Sequence, residues 1–482
     1  MISPDPTFLN AAKELLGPRG LLTDPDLVEP WLTDWRGRYT GKAMALAAPA
    51  DAGEVAALMK LCTAHGVAVV PQGGNSGMSG GATPDSSGAQ LLLSLRRLAT
   101  IGEIDRAARE VTCGAGVILE NLHKAAEAAG LRFPLTLGGK GSATVGGLIA
   151  TNAGGTQVLR HGTMRAQVAG LEAVLADGSL WSALTPLKKD NRGFDLKQLF
   201  IGSEGTLGIV TAARLKLAPA IGTRQVIWTG LSSIVAARSL LELCEARLGN
   251  ALEGFEVVPS ECLSAVLDHL PQARSPLMGE HTWHALIELV SEDPAADLAD
   301  QATTVLAAAM EHALVEDATL ATSEAQAESF WGLRDAISSA LRGKGAAIQH
   351  DIAVPVADMA AFIAMAVPAA EAAFPGTHAF AFGHLGDGNV HFHVTAPPGA
   401  VRGVWEAGEG KAVSRMVHDL VARWHGTISA EHGIGQMKRE ELGRLGDPVA
   451  LDLMARVKAA LDPQGLLNPG KLLPLAPRTP SA

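Results

Sequence analysis

Pro71-Gln72-Gly73-Gly74-Asn75-Ser76-Gly77 follows without a break on the apolar run Val67-Ala68-Val69-Val70. That run has the length and β-branched content of a buried strand, so the glycine loop leaves a strand end. The stretch 71–88 holds six glycines. Glycine tolerates positive φ and leaves peptide N–H groups uncovered, and together these make a nest for an anion. There is no Gly-x-x-x-x-Gly-Lys-Ser/Thr, and no Gly-x-Gly-x-x-Gly between a strand and a helix. A nucleoside-triphosphate loop and a Rossmann site are therefore disfavoured. Two further stretches, GGKGSATVGGLIATNAGG (138–155) and IGSEGTLGIVT (201–211), repeat the composition. One such stretch reads equally well as a solvent loop with turn glycines. Three of them, interleaved with strands, point to a large phosphate-bearing group held by backbone.

The segments around these loops alternate helix and strand signals. Asp51 with Glu54 three residues later reads as a capping box that opens a helix, and Gly66 closes it. Residues 89–95 and 109–116 read as strands, 116–130 as a helix, and 168–181 as two strands around the turn Asp177-Gly178. Residues 206–217 have strand character. Near Pro219 the pattern changes to long Ala/Leu helices with isolated strands such as 283–290 and 379–384, which predicts an α+β domain with helices on one face of a sheet. The last segment, roughly 436–471, reads as helical. The boundaries expected are 1–220, 221–425 and a C-terminal segment 426–482 that returns to the first domain.

The second half carries the reactive side chains. In GHLGDGNVHFHV (383–394), His384 and His391 flank a Gly-Asp-Gly turn and His393 follows two residues on. Positions 391 and 393 share a face of an extended strand, and the turn lets His384 fold back toward it. Two imidazoles need a carboxylate to complete a divalent site, and Glu431 in SAEHGIG (429–435) is the best candidate. The competing reading is a set of ordinary core or strand histidines. Arg334 sits in SFWGLRDAISSALRG (329–343), where helical spacing puts Trp331, Arg334 and Ser338 on one face. On the residues alone it reads as a solvated arginine.

Composition bounds the function classes. A chain of 482 residues with 47% hydrophobic content requires two or three domains. Acidic residues outnumber basic ones, 50 against 39, with no basic block, so a nucleic-acid partner is not expected. The N-terminus, MISPDPTFLN, lacks the basic start and apolar core of a secretory signal, and the longest uncharged apolar stretch, 359–370, is short for a membrane span. Cys62, Cys113, Cys244 and Cys262 are widely spaced, which suits buried reduced thiols and excludes the usual iron–sulfur spacing. A soluble cytoplasmic protein without a stable membrane anchor is expected.

The order PxGGNSG, TVGGLIATNAGG, GSEGTLGIVT and a C-terminal NPGK resembles the flavoprotein family that includes vanillyl-alcohol oxidase. With the GHLGDGNxH and AEHG motifs it resembles a narrower branch, the FAD-linked D-2-hydroxyacid dehydrogenases acting on D-lactate or D-2-hydroxyglutarate. The likeness runs from about Trp31 to Lys471. It implies a two-part FAD-binding domain, an α+β substrate (cap) domain and a C-terminal helical segment. It also implies that Pro71, Gly73, Gly74, Asn75, Ser76, Gly77 and Met78 wrap the pyrophosphate. Gly141, Ser142, Gly146, Gly147, Asn152, Ala153, Gly154 and Gly155 would line the dinucleotide. Glu204, Gly208, Ile209 and Val210 would edge the adenosine or ribityl end, and Asn468 would reach the cofactor from the C-terminal segment. The 71–77 loop has no His or Cys to tether the flavin, so FAD is expected to be non-covalent, with His161 the one nearby candidate for a tether.

In that branch His384, His391 and Glu431 would bind zinc or a similar divalent ion, His432 would be the catalytic base, and Arg334 would clamp the substrate carboxylate. Gly433 and Gly435 would bend the backbone so that Glu431 and His432 serve one site. Substrate contacts would come from Arg334, Ser338, Gln349 and His393. The chain departs from D-2-hydroxyglutarate-specific members at two of these, with Gln349 in place of lysine and His393 in place of asparagine. That leaves D-lactate, a longer monocarboxylic hydroxy acid or a sugar acid open, with His350, His393 or Lys344 as substitutes for the missing cation. The resemblance implies hydride transfer from the 2-hydroxy acid to flavin and an electron-transferring flavoprotein or a quinone as acceptor, and it allows a homodimer. A flavin oxidase, a flavin carrier without turnover and a zinc hydrolase built on His384, His391 and Glu431 stay open as alternatives.

Overall fold

The computed structural model describes residues 6–473. Residues 1–5, which open the segment read as lacking a signal, and 474–482, the end of the expected C-terminal segment, lie outside the described residues. The described chain divides into two compact units. One comprises residues 6–155, 161–219 and 431–473; the other comprises 156–160 and 220–430.

The first unit contains two four-stranded sheets and a short pair. In one sheet, β1 (Leu21–Leu22) lies antiparallel on β2 (Ala45–Ala47), and β3 (Val69–Gln72) and β4 (Leu91–Ser94) complete the order β1-β2-β4-β3 with parallel pairing. The connection from β2 to β3 is the helix Ala52–His65. Asp51 caps its first turn by accepting from Glu54 N at 2.9 Å, and Gly66 ends it in the left-handed region at φ 64°. The other sheet is antiparallel, in the order β5 (Glu110–Gly114), β9 (Ile209–Lys216), β7 (Val168–Val174), β8 (Leu180–Ala183). The β7–β8 hairpin turns at Asp177-Gly178, as its sequence predicts. β6 (Leu131–Arg132) pairs with β10 (Ala218–Pro219). A single apolar core, including Met59, Leu91, Val111, Leu148, Leu171 and Leu215, joins the two sheets.

The returning C-terminal segment enters that core. Leu467 is fully buried and bridges Val69 in parallel register, with Asn468 N donating to Val69 O at 2.8 Å. The helical expectation for 436–471 holds over Arg439–Leu445 and Pro448–Leu461, but 462–471 is extended and turned because it must add to the edge of β3.

The second unit is built on one seven-stranded sheet in the order β14-β11-β13-β12-β16-β17-β15, with every pairing among the described residues antiparallel. Its strands are β11 (Thr223–Leu231), β12 (Leu252–Pro259), β13 (Trp283–Ser291), β14 (Asp317–Leu320), β15 (Ala347–Ala353), β16 (His378–His384) and β17 (Asn389–Thr395). Helices cover both faces, not one as the sequence suggested. Alternate residues of the same strand enter different cores: Ile227, Phe255, Val257, Ile287 and Phe392 meet Leu240, Val305, Ile363 and Val417, whereas Trp228, Val258, Leu286 and Phe382 meet Val266, Phe330 and Ile337. Strands apolar on both faces lose the alternation that separates a one-sided sheet from a two-sided one. The segment Val356–Ala373 is long and apolar enough to cross a membrane. Here its Met359, Phe362, Ile363, Ala366 and Ala370 lie in the first of those cores.

All four cysteines are buried and unbridged, and burial pushes the Cys62, Cys113 and Cys244 thiols up to about 12, so they act as inert apolar packing.

Candidate active site

In the first unit, loop 73–78 leaves β3 and meets the loop before the helix Val145–Thr151. A Cβ on Gly74 would overlap the Ser142 carbonyl, and one on Gly73 would overlap the Thr144 hydroxyl. These glycines let two glycine-rich loops touch backbone to backbone. Gly77, Gly138 and Gly141 are different: a Cβ there would meet nothing within 4 Å. Among the described residues, no hydrogen bond is made by the peptide N–H groups of 73–78 or of Gly138, Gly139 and Gly141. Gln72 Oε1 and Asn468 Oδ1 are buried without partners beside the loop. Open glycine faces with unclaimed donors are what a pyrophosphate requires, so the residues present fit FAD.

Other residues expected to line the dinucleotide are committed to packing. A Cβ on Gly146 would stand 2.7 Å from Ala115 Cβ, one on Gly155 would overlap the Thr136 carbonyl, and one on Gly208 would stand 2.6 Å from the Phe200 ring. Ile209 and Val210 are core residues of β9, and the Ala153 carbonyl accepts from Met164 N at 2.8 Å. Asn152, at φ 50°, closes the helix Val145–Thr151 and accepts from Thr163 Oγ1 at 3.0 Å and Arg165 N at 2.9 Å. Gly147 belongs to the first turn of that helix, its N–H facing Thr144 Oγ1 at 3.4 Å, and Met78 Sδ accepts from Arg36 Nε at 3.5 Å. His161 lies against Arg132, at 3.2 Å from Nη2. Gly138, outside the expected set, joins the open glycines.

Glu204 departs most from its expected role. It is 8% exposed, and its two carboxylate oxygens accept from Ile434 N and Gly435 N, both at 2.7 Å. Burial raises its pKa, against the opposing pull of those N–H groups. Asn468 likewise spends its amide on protein, donating to Glu204 O at 2.7 Å and Gly81 O at 2.9 Å. Ser79 Oγ faces the carbonyls of His432 at 3.2 Å and Gly433 at 3.0 Å. The bend after His432 takes φ 73° at Gly433 and 52° at Gly435, the left-handed region that glycine favours.

In the second unit, the register of β12, β16, β17 and β15 assembles one polar row. Glu256 stands opposite His384, His384 opposite Asn389, Phe382 opposite His391, Asp351 opposite His391 and Gln349 opposite His393. Successive rungs two apart put all these side chains on one face. The same period sends His350 to the other face, where Ser414 Oγ lies 3.2 Å from its Nε2 and the His418 ring centroid 5.5 Å away. His350 therefore cannot replace a cation on the face of Gln349. The Phe382 ring packs on His391 and His393 at centroid distances of 5.1 and 5.2 Å.

Glu256, unmarked in the sequence reading, ties this row together. It is 1% exposed. Arg334 Nε donates to its Oε2 at 2.8 Å, and His384 Nδ1 donates to its Oε1. Burial pushes its pKa up, but Arg334 and His384 outweigh that and hold the carboxyl at about 2. Arg334 Nη2 lies 3.2 Å from His384 Nε2, and since guanidinium only donates, Nε2 is the lone-pair nitrogen. An imidazole that donates Nδ1–H to a carboxylate and carries its lone pair on Nε2 has the tautomer of metal-ligating histidines; in this structure Arg334 Nη2 faces that lone pair. The His391 ring centroid is 5.4 Å away. These two histidines fit a divalent cation. β15 pins the chain before the third expected ligand, with Thr427 bridging Ala353 and Ala430 N donating to Asp351 O at 3.4 Å, immediately ahead of Glu431. On the helix Glu324–Arg342, Trp331 is buried, Arg334 partly so and Ser338 exposed, so the three do not share one environment.

Residues 43–183 match the family described as FAD binding domain, and residues 224–472 match FAD linked oxidases, C-terminal domain. The chain is 38% identical over 471 residues to a mitochondrial D-2-hydroxyglutarate dehydrogenase of Bos taurus, covering 96% of this chain and 83% of that one. It is 36% identical to a D-2-hydroxyglutarate dehydrogenase of Xanthomonas citri, covering 97% of each. The chain belongs to the FAD-linked D-2-hydroxyacid dehydrogenases. This D-2-hydroxyacid dehydrogenase shares its fold with p-cresol methylhydroxylase, at TM-score 0.73 and 16% identity over 97% of both chains, and with alkyldihydroxyacetonephosphate synthase, at TM-score 0.71 and 17% identity over 97% of this chain and 86% of that one. Its fold is thus the two-part flavin-binding architecture, and its cofactor is FAD.

Proposed function

We propose that this enzyme oxidises D-2-hydroxyglutarate to the 2-oxo acid, and that the row joining Arg334, Glu256 and His384 is its substrate-holding element. The relatives named for that substrate support the choice. Arg334 carries the proposal: a planar guanidinium oriented by a buried carboxylate on the row of His384 and His391 has the geometry to recognise a substrate carboxylate. His384 and His391, with Glu431, would hold a divalent ion such as zinc, which when bound supplies Lewis acidity toward a hydroxyl. FAD, when bound, supplies the two-electron acceptor for the C2 hydrogen and its bonding pair. His432 takes the hydroxyl proton, a task matched to an imidazole with a reference pKa near about 6.5.

The test is anaerobic mixing of the FAD-loaded enzyme with D- and L-2-hydroxyglutarate and D-lactate. Fast bleaching of the flavin by the D-dicarboxylate alone supports the reading; bleaching by none of the three rejects it. A second reading is favoured by Gln349 and His393, which stand opposite each other and place no fixed positive charge on the row. It is a monocarboxylic substrate, and D-lactate reducing the flavin at least as fast would select it. The proposal includes a diffusible electron-transferring flavoprotein or quinone as acceptor, a homodimer and a cytoplasmic location. Acceptor-linked turnover, light scattering and cell fractionation check these in turn.

A further inference from the structure

We propose that Glu204 is a positioning residue for His432, holding the turn that carries the base rather than the cofactor; this rests on the reading of His432 as the base. The turn His432-Gly433-Ile434-Gly435 is gripped from two sides. From one side the buried Glu204 carboxylate takes the N–H groups of Ile434 and Gly435. From the other, Ser79 Oγ meets the carbonyls of His432 and Gly433, while Gln436 N donates to Ser79 O at 3.1 Å and Gln436 Nε2 to Gly80 O at 2.9 Å. Both glycines are needed for this approach: a Cβ on Gly433 would stand 3.0 Å from Glu204 Oε1, and one on Gly435 would overlap the Ser79 carbonyl.

Glu204 is itself fixed. Its backbone adopts φ 52°, a region that side chains other than glycine seldom occupy, and is held by Glu204 N donating to Ala150 O at 2.8 Å and by the Asn468 amide on its carbonyl. Ser79 follows directly on the open glycine loop 73–78. The glycine loop and the base-bearing turn therefore share one backbone frame within the first unit. A carboxylate that accepts two adjacent peptide N–H groups fixes the tilt of the turn, and with it the direction in which the His432 side chain leaves the backbone. A misplacement of about 1 Å at such a point costs up to about a hundredfold in rate.

Glu204→Gln keeps size but can accept only one of the two N–H bonds, and Ser79→Ala releases the other side of the turn. In anaerobic stopped-flow with D-2-hydroxyglutarate, each variant should bind FAD fully, keep the substrate concentration for half-maximal rate, and reduce flavin about ten- to a hundredfold more slowly. The pH profile of that rate should shift, and Glu204→Gln added to His432→Ala should slow the reaction no further. A normal rate and profile per bound flavin in Glu204→Gln overturns the proposal, as does lost flavin with a normal rate in the loaded fraction. If Glu204→Gln does not fold, Ser79→Ala decides by the same readings. A normal reduction rate in His432→Ala instead removes the base reading itself.

Discussion

At the residue scale the consequential groups are buried charges with designated partners. Glu256 removes two polar groups from competition at once, fixing the Nδ1 proton of His384 and the orientation of Arg334. If His384 holds the ion as proposed, a carboxylate that fixes its Nδ1 proton is worth about ten- to a hundredfold in metal affinity. Glu256→Gln should therefore loosen zinc by about that factor in a chelator competition, and an unchanged affinity would separate Glu256 from the site. His284 shows the opposite situation. It is buried and accepts the Trp228 indole N–H on Nδ1 at 3.1 Å, so it must be neutral. Burial, and then His281, lower its pKa to about 4. A depressed pKa means its contribution is complete above about pH 6.5 and disappears as pH falls through about 4. Urea unfolding at pH 7 and 4.5 should show His284→Gln losing about 2 kcal/mol less than the parent over that interval; equal losses would show that His284 does not titrate in it.

At the element scale, local signals were readable wherever one residue type solves a local problem. Asp51 caps its helix, Asp177-Gly178 turns its hairpin, and Gly-Asp-Gly at 386–388 joins β16 to β17, with Gly388 N donating to His384 O at 3.1 Å. The glycine loops were readable as loops but not by role, because spacing does not tell a glycine that admits a neighbouring loop from one that faces a ligand. A pair of substitutions separates the roles. Gly74→Ala drives a methyl into the Ser142 carbonyl and should lower the melting temperature of the apoprotein by several degrees. Gly77→Ala meets no protein atom, so it should leave that temperature alone and weaken FAD binding about tenfold by intruding on the open face. Thermal melts with and without FAD, together with flavin fluorescence titration, distinguish them. If both behave alike, the two glycines have one function.

At the scale of the whole molecule, cofactor and ion should be separable by removal. Dialysis against a chelator is expected to leave flavin absorbance in place while abolishing reduction by the hydroxy acid, and zinc should restore it; full activity in the chelator would reject a functional ion. Added FAD should raise the melting midpoint in step with its concentration, by about 2.7 kcal/mol of stability at one hundred times its Kd. The motifs that named the family lie in short contiguous runs whose meaning is carried by backbone geometry, so the linear order of residues was enough to give the flavin and the reaction class. Partners distant along the chain were invisible there: Arg334 finds Glu256 across 78 residues, and Ile434 finds Glu204 across 230. A glutamate in an apolar strand or a glycine-rich turn reads the same whether it faces water or a buried cation or peptide. Strand register and the packing of a returning segment chose between those outcomes, because the cost of burying a charge is offset only by groups that folding brings to it.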